Sequence, residues 1–496
     1  MQIMNLPANI FLWSSFFLSA APMVTHAKER PNVILLLVDD MGWSDLGCYA
    51  QDDFHETPHI DRLAKEGIRF TNGYASCAVS SPTRASIMTG QYPARLRITD
   101  WIPGHATGND QVICPKMYYE LPKDKITLPQ ALKKQGYKTL HIGKWHLGER
   151  EEYFPEHYGF DVNIGGHRLG APGSFYYPFA KLDPNNDWTN LNLPDESTKD
   201  GDYLTDVLTQ SALNEIEKAV TQQTPFFLNM AYYQVHCPIE GKPEYTNKYR
   251  DKWNNGSYPK KNFDYAAMIQ SLDESVGSII QKLEDLGIEN ETFIILTSDN
   301  GGVTGGVYNG NAPLRGGKGM YYEGGIREPY IVRWPGKVKA GTESDEVVIS
   351  TDIYTTILDV AGASKYGNAI QDGVSLVPYL TNKNAAIKRK AVYWHYPHFH
   401  TGKPASAIRK GDYKLIEHLL TGKVELYDLS KDISEKNNIA AVNQRKVEEM
   451  KTLLHTWKKN VGAHDLIKRT PETEHLVRAG SGWAGVNNLK DRKSVV

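Results

Sequence analysis

The strongest constraint in this sequence is a pattern that occurs twice: an unbroken aliphatic or β-branched run that stops abruptly at oxygen-bearing side chains and glycine. The first is Asn32 to Val38, followed by Asp39-Asp40-Met41-Gly42; the second is Thr292 to Thr297, followed after Ser298 by Asp299-Asn300-Gly301-Gly302. Runs without polar alternation suit strands buried on both faces, and hence a parallel sheet covered by helices. Phe226 to Tyr233, ending toward His236, follows the same grammar, as do Lys138 to Ile142, ending at Lys144 and His146, and Tyr330 to Trp334. Helical periodicity lies between them, at Tyr203 to Val220 and about Phe263 to Leu286, the latter closed by Gly287; a shorter helix runs from Thr127, its cap, to Gln135 near Gly136. Alternating strands and helices imply a doubly wound α/β fold, in which ligands bind at the carboxyl ends of the strands. The polar clusters stand at those ends.

From about Ile387 the texture changes to short strand-like pieces, Ala391 to Trp394, Ala407 to Arg409, Tyr413 to Ile416 and Val424 to Tyr427, before a helix over Asn443 to Lys458. The expected architecture is therefore a large mixed, mostly parallel sheet sandwiched by helices over 28–386, with a smaller antiparallel sheet plus helix over 387–496. The opening segment carries an apolar stretch from Ile10 to about Ala21 and small residues at Thr25 and Ala27. It reads as a signal peptide over 1–27, which implies a secreted or periplasmic protein without a membrane span once mature. With 56 Lys and Arg against 58 Asp and Glu, and no long run of either sign, neither a nucleic-acid footprint nor a polybasic membrane patch is present. Cys48, Cys77, Cys114 and Cys237 form no CxxC pair, so neither a zinc site nor a disulfide framework is indicated; export would permit one disulfide.

Two adjacent carboxylates at a strand end repel strongly unless donors or a cation compensate them. Taken alone, Asp39-Asp40 is also compatible with a helix cap or a solvated turn. Joined to Asp299 and Asn300 at a second strand end, it makes an all-oxygen ligand set that suits Ca²⁺ or Mg²⁺ better than zinc.

The segment Cys77-Ala78-Val79-Ser80-Ser81-Pro82-Thr83-Arg84-Ala85-Ser86-Ile87-Met88-Thr89-Gly90 resembles the signature of the type I sulfatases, members of the alkaline phosphatase superfamily. Gly143-Lys144-Trp145-His146-Leu147-Gly148, Val235-His236-Cys237-Pro238, Arg315-Gly316-Gly317-Lys318-Gly319 and Glu425-Leu426-Tyr427-Asp428-Leu429 resemble further family segments, in order. The resemblance implies an alkaline phosphatase-like fold and the hydrolysis of sulfate esters. It implies that Ser80, rather than Cys77, is oxidised to formylglycine by a serine-competent, anaerobic-type maturating enzyme. It assigns Asp39, Asp40, Ser80, Asp299 and Asn300 to the metal, and Ser80, Arg84, Lys144, His146, His236 and Lys318 to catalysis.

The chemistry agrees with that assignment. Anionic oxygens shield a sulfate ester from nucleophiles, so the site needs concentrated positive charge. A plain serine hydroxyl is a weak nucleophile, whereas a hydrated aldehyde offers one hydroxyl to attack sulfur and a second to expel sulfate afterwards. His236 is the candidate acid for the departing alcohol and His146 the candidate base. Two other readings remain open at this level: a phosphomonoesterase or phosphodiesterase of the same superfamily, and a noncatalytic relative that binds sulfated glycans. For the substrate, the resemblance, which extends to bacterial carbohydrate sulfatases, implies an exo-acting carbohydrate O-sulfatase on sulfated galactose or N-acetylgalactosamine of glycosaminoglycans, mucins or algal galactans. His167 and Arg168, and the aromatic and histidine cluster around His395, are the candidate sugar contacts.

Overall fold

The computed structural model describes residues 30–477, apart from 105–107, 181–190, 194–197, 260, 306–309 and 383–384. The expected signal segment 1–27 and the tail after Val477 lie outside the described residues. In chain order the strands are β1 (Asn32–Val38), β2 (Ile68–Tyr74), β3 (Val112–Ile113), β4 (Lys138–Gly143), β5 (Val162–Ile164), β6 (Phe226–Ala231), β7 (Thr292–Ser298), β8 (Arg327–Arg333) and β9 (Thr342–Ile349). A smaller set follows: β10 (Val392–Tyr396), β11 (Ala405–Lys410), β12 (Tyr413–His418), β13 (Val424–Asp428) and β14 (Ile467–Lys468).

Eight strands form one sheet in the order β5-β4-β6-β1-β7-β8-β2-β9. The unbroken apolar runs sit at its centre because both faces are covered. In β1, Ile34, Leu36 and Val38 enter one core, packed under the helices Leu204–Thr221 and Phe263–Asp285, while Val33, Leu35 and Leu37 enter the other, with Ala85, Leu128 and Ile357 from the opposite helical layer. Each such side chain contributes about 1.5–3 kcal/mol on burial. Six hydrophobic residues of one strand, divided between two layers, therefore anchor the sheet.

The sheet is mostly parallel, with one exception that corrects the expectation for Tyr330 to Trp334. That run belongs to β8, which is antiparallel to both β7 and β2. A parallel return would need a crossover to the far end of the sheet; the described residues of the connection from β7 instead stay at the strand ends, where they include Lys318, and the chain turns back through the short helix Glu323–Ile326. The sequence reading marks neither β2 nor β9. The first, IRFTNGY, is interrupted by polar residues and glycine, and the second, TESDEVVI, is a charged edge strand, the form in which edges resist unwanted pairing.

The C-terminal pieces form the four-stranded antiparallel sheet β10-β11-β12-β13. The helix Gln444–Val461 covers it with Val447, Met450, Leu454 and Trp457. All four cysteines are free thiols, so the disulfide that export would permit does not form.

The small sheet is joined to the large one by buried charge. Lys414 Nζ lies 2.8 Å from Glu323 Oε1 and 3.0 Å from Glu435 Oε1, with all three side chains fully buried. Burial works against ionisation of Glu323, but the ammonium of Lys414 and the guanidinium of Arg327 outweigh it and hold the carboxyl at about 2. Removing the cation would strand two buried carboxyls. Lys414→Met is therefore expected to lower stability by about 3–5 kcal/mol, measured as a fall in the midpoint of denaturant unfolding against the native chain.

Candidate active site

The register of β1 and β7 explains why their polar tails meet. The strands are parallel neighbours with Val38 opposite Ser298, so the residues that follow each strand leave the sheet at the same level. Asp40 turns sharply, with φ of 59°, and its Oδ1 accepts a hydrogen bond from Asn300 Nδ2 at 2.7 Å. The backbone N–H of Asp40 donates to Asp299 Oδ1 at 3.3 Å. Asp39, Asp40 and Asp299 thereby place one carboxylate oxygen each within 4.8 Å of the others, all buried.

Ser80 opens the helix Ser80–Thr89. Its Oγ lies 3.2 Å from Asp39 Oδ1 and 3.3 Å from Asn300 Oδ1. One turn on, Arg84 donates through Nε to Asp299 Oδ2 at 2.8 Å and through Nη1 to the Lys144 carbonyl at 3.0 Å. Lys144 follows Gly143, whose φ is 103° and where a Cβ would lie 1.9 Å from the Ala231 carbonyl oxygen; only glycine fits that close approach. From there Lys144 Nζ donates to Asp39 Oδ2 at 2.6 Å and reaches Ser80 Oγ at 3.3 Å. Lys318 Nζ donates to Asp40 Oδ2 at 2.7 Å. His236, beyond the end of β6, places Nε2 3.6 Å from Asp40 Oδ2, while its Nδ1 is 2.9 Å from the Cys237 carbonyl.

His146 also has a left-handed backbone, with φ of 60°. Its Nε2 is 2.5 Å from the Ile102 carbonyl and therefore carries the ring proton. The buried Nδ1 has no hydrogen-bond partner among the described residues, which leaves it a lone pair. Ser81 supports this arrangement, because its hydroxyl donates to the His146 carbonyl at 2.9 Å and accepts from the Ile102 N–H at 3.1 Å.

The electrostatics separate the carboxylates. Burial, reinforced by the charges of Asp299 and Asp40, pushes Asp39 up to about 7 even though Lys144 opposes the shift. Burial also acts on Asp40, but Lys318, His236 and Lys144 together outweigh it and hold that carboxyl well below the usual range. Burial, followed by the charge of Lys318, brings His236 down to about 3. Burial likewise lowers His146 far below the ordinary imidazole value, with Lys144 adding to the effect. The protein's own cations thus leave Asp39 only partly compensated. Three carboxylates and the Asn300 amide oxygen form a hard-oxygen set that fits a divalent cation, with Asp39, Asp40, Asp299 and Asn300 as the residues that would hold it.

The structure therefore brings together Asp39, Asp40, Ser80, Arg84, Lys144, His236, Asp299, Asn300 and Lys318, with His146 linked through Ser81. The proposed sugar contacts fare differently. His167 is 6 % exposed; its Nδ1 accepts from the Leu169 N–H at 2.9 Å and its carbonyl from the His146 N–H at 3.3 Å, placing it behind His146, with half-buried Arg168 beside it. His395 is not part of the site. It is 3 % exposed within the small sheet, and its ring nitrogens are taken by Ser406 Oγ at 2.7 Å and the His464 carbonyl at 2.9 Å, leaving none for a substrate. The sequence reading misses Asn311, which accepts from the Gly302 N–H at 3.0 Å and donates to the Gly302 carbonyl at 2.8 Å and the Gly316 carbonyl at 3.2 Å. It braces the Asp299 loop against the Lys318 loop from a turn with no motif to mark it.

A buried triad of carboxylates, a hydroxyl at a helix N-terminus and three converging cations, all at the carboxyl ends of a doubly wound sheet, define a hydrolase of anionic esters. Comparison with known proteins makes the assignment specific. The sulfatase family model matches residues 31–363, and the model described as N-sulphoglucosamine sulphohydrolase, C-terminal, matches residues 317–461. The chain is 32 % identical over 441 residues to N-acetylgalactosamine-6-sulfatase of Mus musculus, covering 86 % of this chain and 79 % of that one. It resembles the crystal structure of Ps i-CgsB in complex with k-i-k-neocarrahexaose at 28 % identity and a TM-score of 0.73, with 94 % of this chain and 98 % of that one covered. It also resembles the PsFucS1 sulfatase from Pseudoalteromonas sp. at 25 % identity and a TM-score of 0.68, covering 88 % and 92 %. The chain belongs to the sulfatase family and is a sulfuric ester hydrolase.

Because the cation would relieve repulsion present only in the folded state, Ca²⁺ at about a hundred times its dissociation constant is expected to stabilise the protein by about 2.7 kcal/mol. Thermal melts with EDTA and after readdition of Ca²⁺ measure the effect, which Asp299→Asn should diminish.

Proposed function

We propose that this sulfatase is an exo-acting carbohydrate O-sulfatase that removes sulfate from galactose or N-acetylgalactosamine residues of sulfated glycans. The observation that carries the reading is the position of Ser80. Its Oγ faces Asp39 and Asn300 at the start of a helix, with Lys144 3.3 Å away. A helix N-terminus favours an anion through its free amides and dipole, and Arg84, Lys144 and Lys318 surround the same space. The sugar class rests on the names of the relatives, one a sulfatase of N-acetylgalactosamine and one crystallised with a neocarrahexaose. The terminal mode of action rests on enclosure: the carboxylates are buried, and the side chains of His236 and Lys318 are only 17 % and 14 % exposed. Such an opening suits one terminal ester better than the middle of a chain.

Sulfatases of this family use a metal ion and formylglycine, and the buried carboxylate triad accords with the first. In our reading Ser80 is the residue converted, by a serine-competent, anaerobic-type maturating enzyme, in a protein destined for the periplasm or the exterior. Formylglycine would supply the nucleophilic hydroxyl, and Ca²⁺ or Mg²⁺ would neutralise charge on the sulfate oxygens.

The chain's own residues do the rest. Lys144, Arg84 and Lys318 hold the anionic group and offset the charge that gathers on it as the ester bond breaks. Nδ1 of His236 donates its proton to the Cys237 carbonyl, so the proton for the departing alcohol is the second one, which Nε2 carries when the ring is an imidazolium. An anionic substrate nearby raises this imidazole from its low resting value and so favours its acid form. His146 accepts a proton at Nδ1, whose lone pair the Ile102 contact on Nε2 leaves available.

Ser80→Ala is expected to abolish turnover while leaving the melting temperature within a few degrees of native. Mass spectrometry of the peptide containing Ser80, from material matured by a serine-competent enzyme, should show loss of the two hydrogens that aldehyde formation removes; an unmodified serine in active protein would sink the reading. A panel of mono- and disaccharides sulfated at different ring positions, with matched phosphate esters, should show turnover of sulfated galactose or N-acetylgalactosamine. His236→Ala should slow a sugar sulfate by about 10²-fold or more and an activated aryl sulfate much less. Equal losses on both would remove His236 from the role of acid.

A further inference from the structure

The turn that carries Lys318 is held from two sides. On the inner side, the Lys318 N–H donates to the Gly302 carbonyl at 3.0 Å and the Gly319 N–H to the Ala78 carbonyl at 2.8 Å. These bonds tie the turn to the Asp299 loop and to the segment leading into Ser80, and Asn311 braces the same loop. On the outer side, the contacts come from the loop between β10 and β11. Thr401 donates through Oγ1 to the Lys318 carbonyl, and the Gly402 N–H donates to the Gly319 carbonyl at 3.2 Å. The Thr401 N–H in turn donates to His400 Nδ1 at 2.8 Å. Packing here is close: a Cβ on Gly319 would lie 2.2 Å from His400 Nδ1, and one on Gly402 would lie 2.5 Å from the Gly319 carbonyl oxygen.

A lysine on a long flexible stem grips an anion only as well as its backbone is held. Groups that bind a reacting ion need placement to within about half an ångström, and that precision comes from the contacts behind them. Lys318 stands at a junction between the Asp299 loop of the large sheet and a loop of the small one. Among the described residues, only the small sheet's loop reaches its carbonyl through a side-chain hydroxyl.

We propose that Thr401 is a positioning residue for Lys318, and that through it the C-terminal sheet completes the sulfate-binding site. The hydroxyl holds the Lys318 carbonyl so that the ammonium remains directed at Asp40 and at the sulfate beside it. This rests on the reading that Lys318 binds the substrate's sulfate group. It also gives the small sheet a part in the chemistry, although its buried His395 has none.

The test measures inorganic sulfate binding by calorimetry to the full chain with Ser80 unmodified, alongside kcat and KM of the matured enzyme. Thr401→Val keeps the shape and removes the hydrogen bond. It should weaken sulfate binding severalfold, with the melting temperature within about 2 °C of native, the shift that loss of one such bond produces in a chain of this size. Thr401→Ser should restore native binding. In a Lys318→Ala background, Thr401→Val should cause no further loss. Native affinity in Thr401→Val, or an equal loss with and without Lys318, overturns the positioning role. A loss matched by a fall in melting temperature of more than about 5 °C assigns Thr401 to folding and overturns it as well. Native sulfate affinity in Lys318→Ala overturns the lysine's own role, and the role of Thr401 with it.

Discussion

The structure depends on the mutual repulsion of Asp39, Asp40 and Asp299, three carboxylates brought within 4.8 Å of one another out of reach of water. Ionised groups this close and this buried are tolerated only where charge of the opposite sign is fixed against them. Arg84 answers Asp299, Lys144 answers Asp39 and Lys318 answers Asp40, each through a bond of 2.8 Å or less. Even so, burial leaves Asp39 at about 7, a residual imbalance that a divalent cation would remove. The same fixed positive groups that stabilise the carboxylates, joined by such a cation, are what a sulfate ester requires.

The sheet exists, in this sense, to hold those charges at one level. Parallel register between β1 and β7 delivers the acids, and β4 and β6, pairing in turn on the far side of β1, deliver Lys144 and His236. The antiparallel β8 goes with the delivery of Lys318 from a connection whose described residues keep to the strand ends. Backbone strain gathers at the same place. Asp40 and His146 both have positive φ, a conformation that side chains of this kind adopt only where surrounding contacts over-determine it.

Much of this site was legible in the amino-acid sequence because its residues lie directly beyond apolar runs, and a buried strand declares itself by its lack of polar alternation. Asp39-Asp40, Asp299-Asn300, Lys144 and His236 are all of this kind, and Ser80 to Arg84 is a contiguous motif. The strands β2 and β9 were not legible, since one is broken by glycine and the other carries edge charges. His395 misled because a histidine among aromatics reads alike whether it lines a sugar site or fills a core. Its burial depends on Ser406 and His464, one a cross-strand partner and the other far along the chain. Asn311 and Thr401 were invisible for a related reason: their partners are backbone carbonyls and amides, which carry no residue type to recognise.

What the sequence by itself determined is the chemistry available: an oxygen-rich strand-end cluster, a serine in the family's motif, a set of lysines and histidines, and the doubly wound frame that aligns them. These follow from local hydrophobic pattern and from side-chain type, both of which are written residue by residue. Only the tertiary structure decided which carboxylate is left uncompensated, which nitrogen of His146 and of His236 meets a backbone carbonyl, which histidine is held away from the cluster, and which loop contacts the Lys318 turn. Those outcomes depend on distances of a few ångströms between residues tens to hundreds of positions apart, and such distances arise only when the sheet's register and the packing of the two sheets bring the chain together.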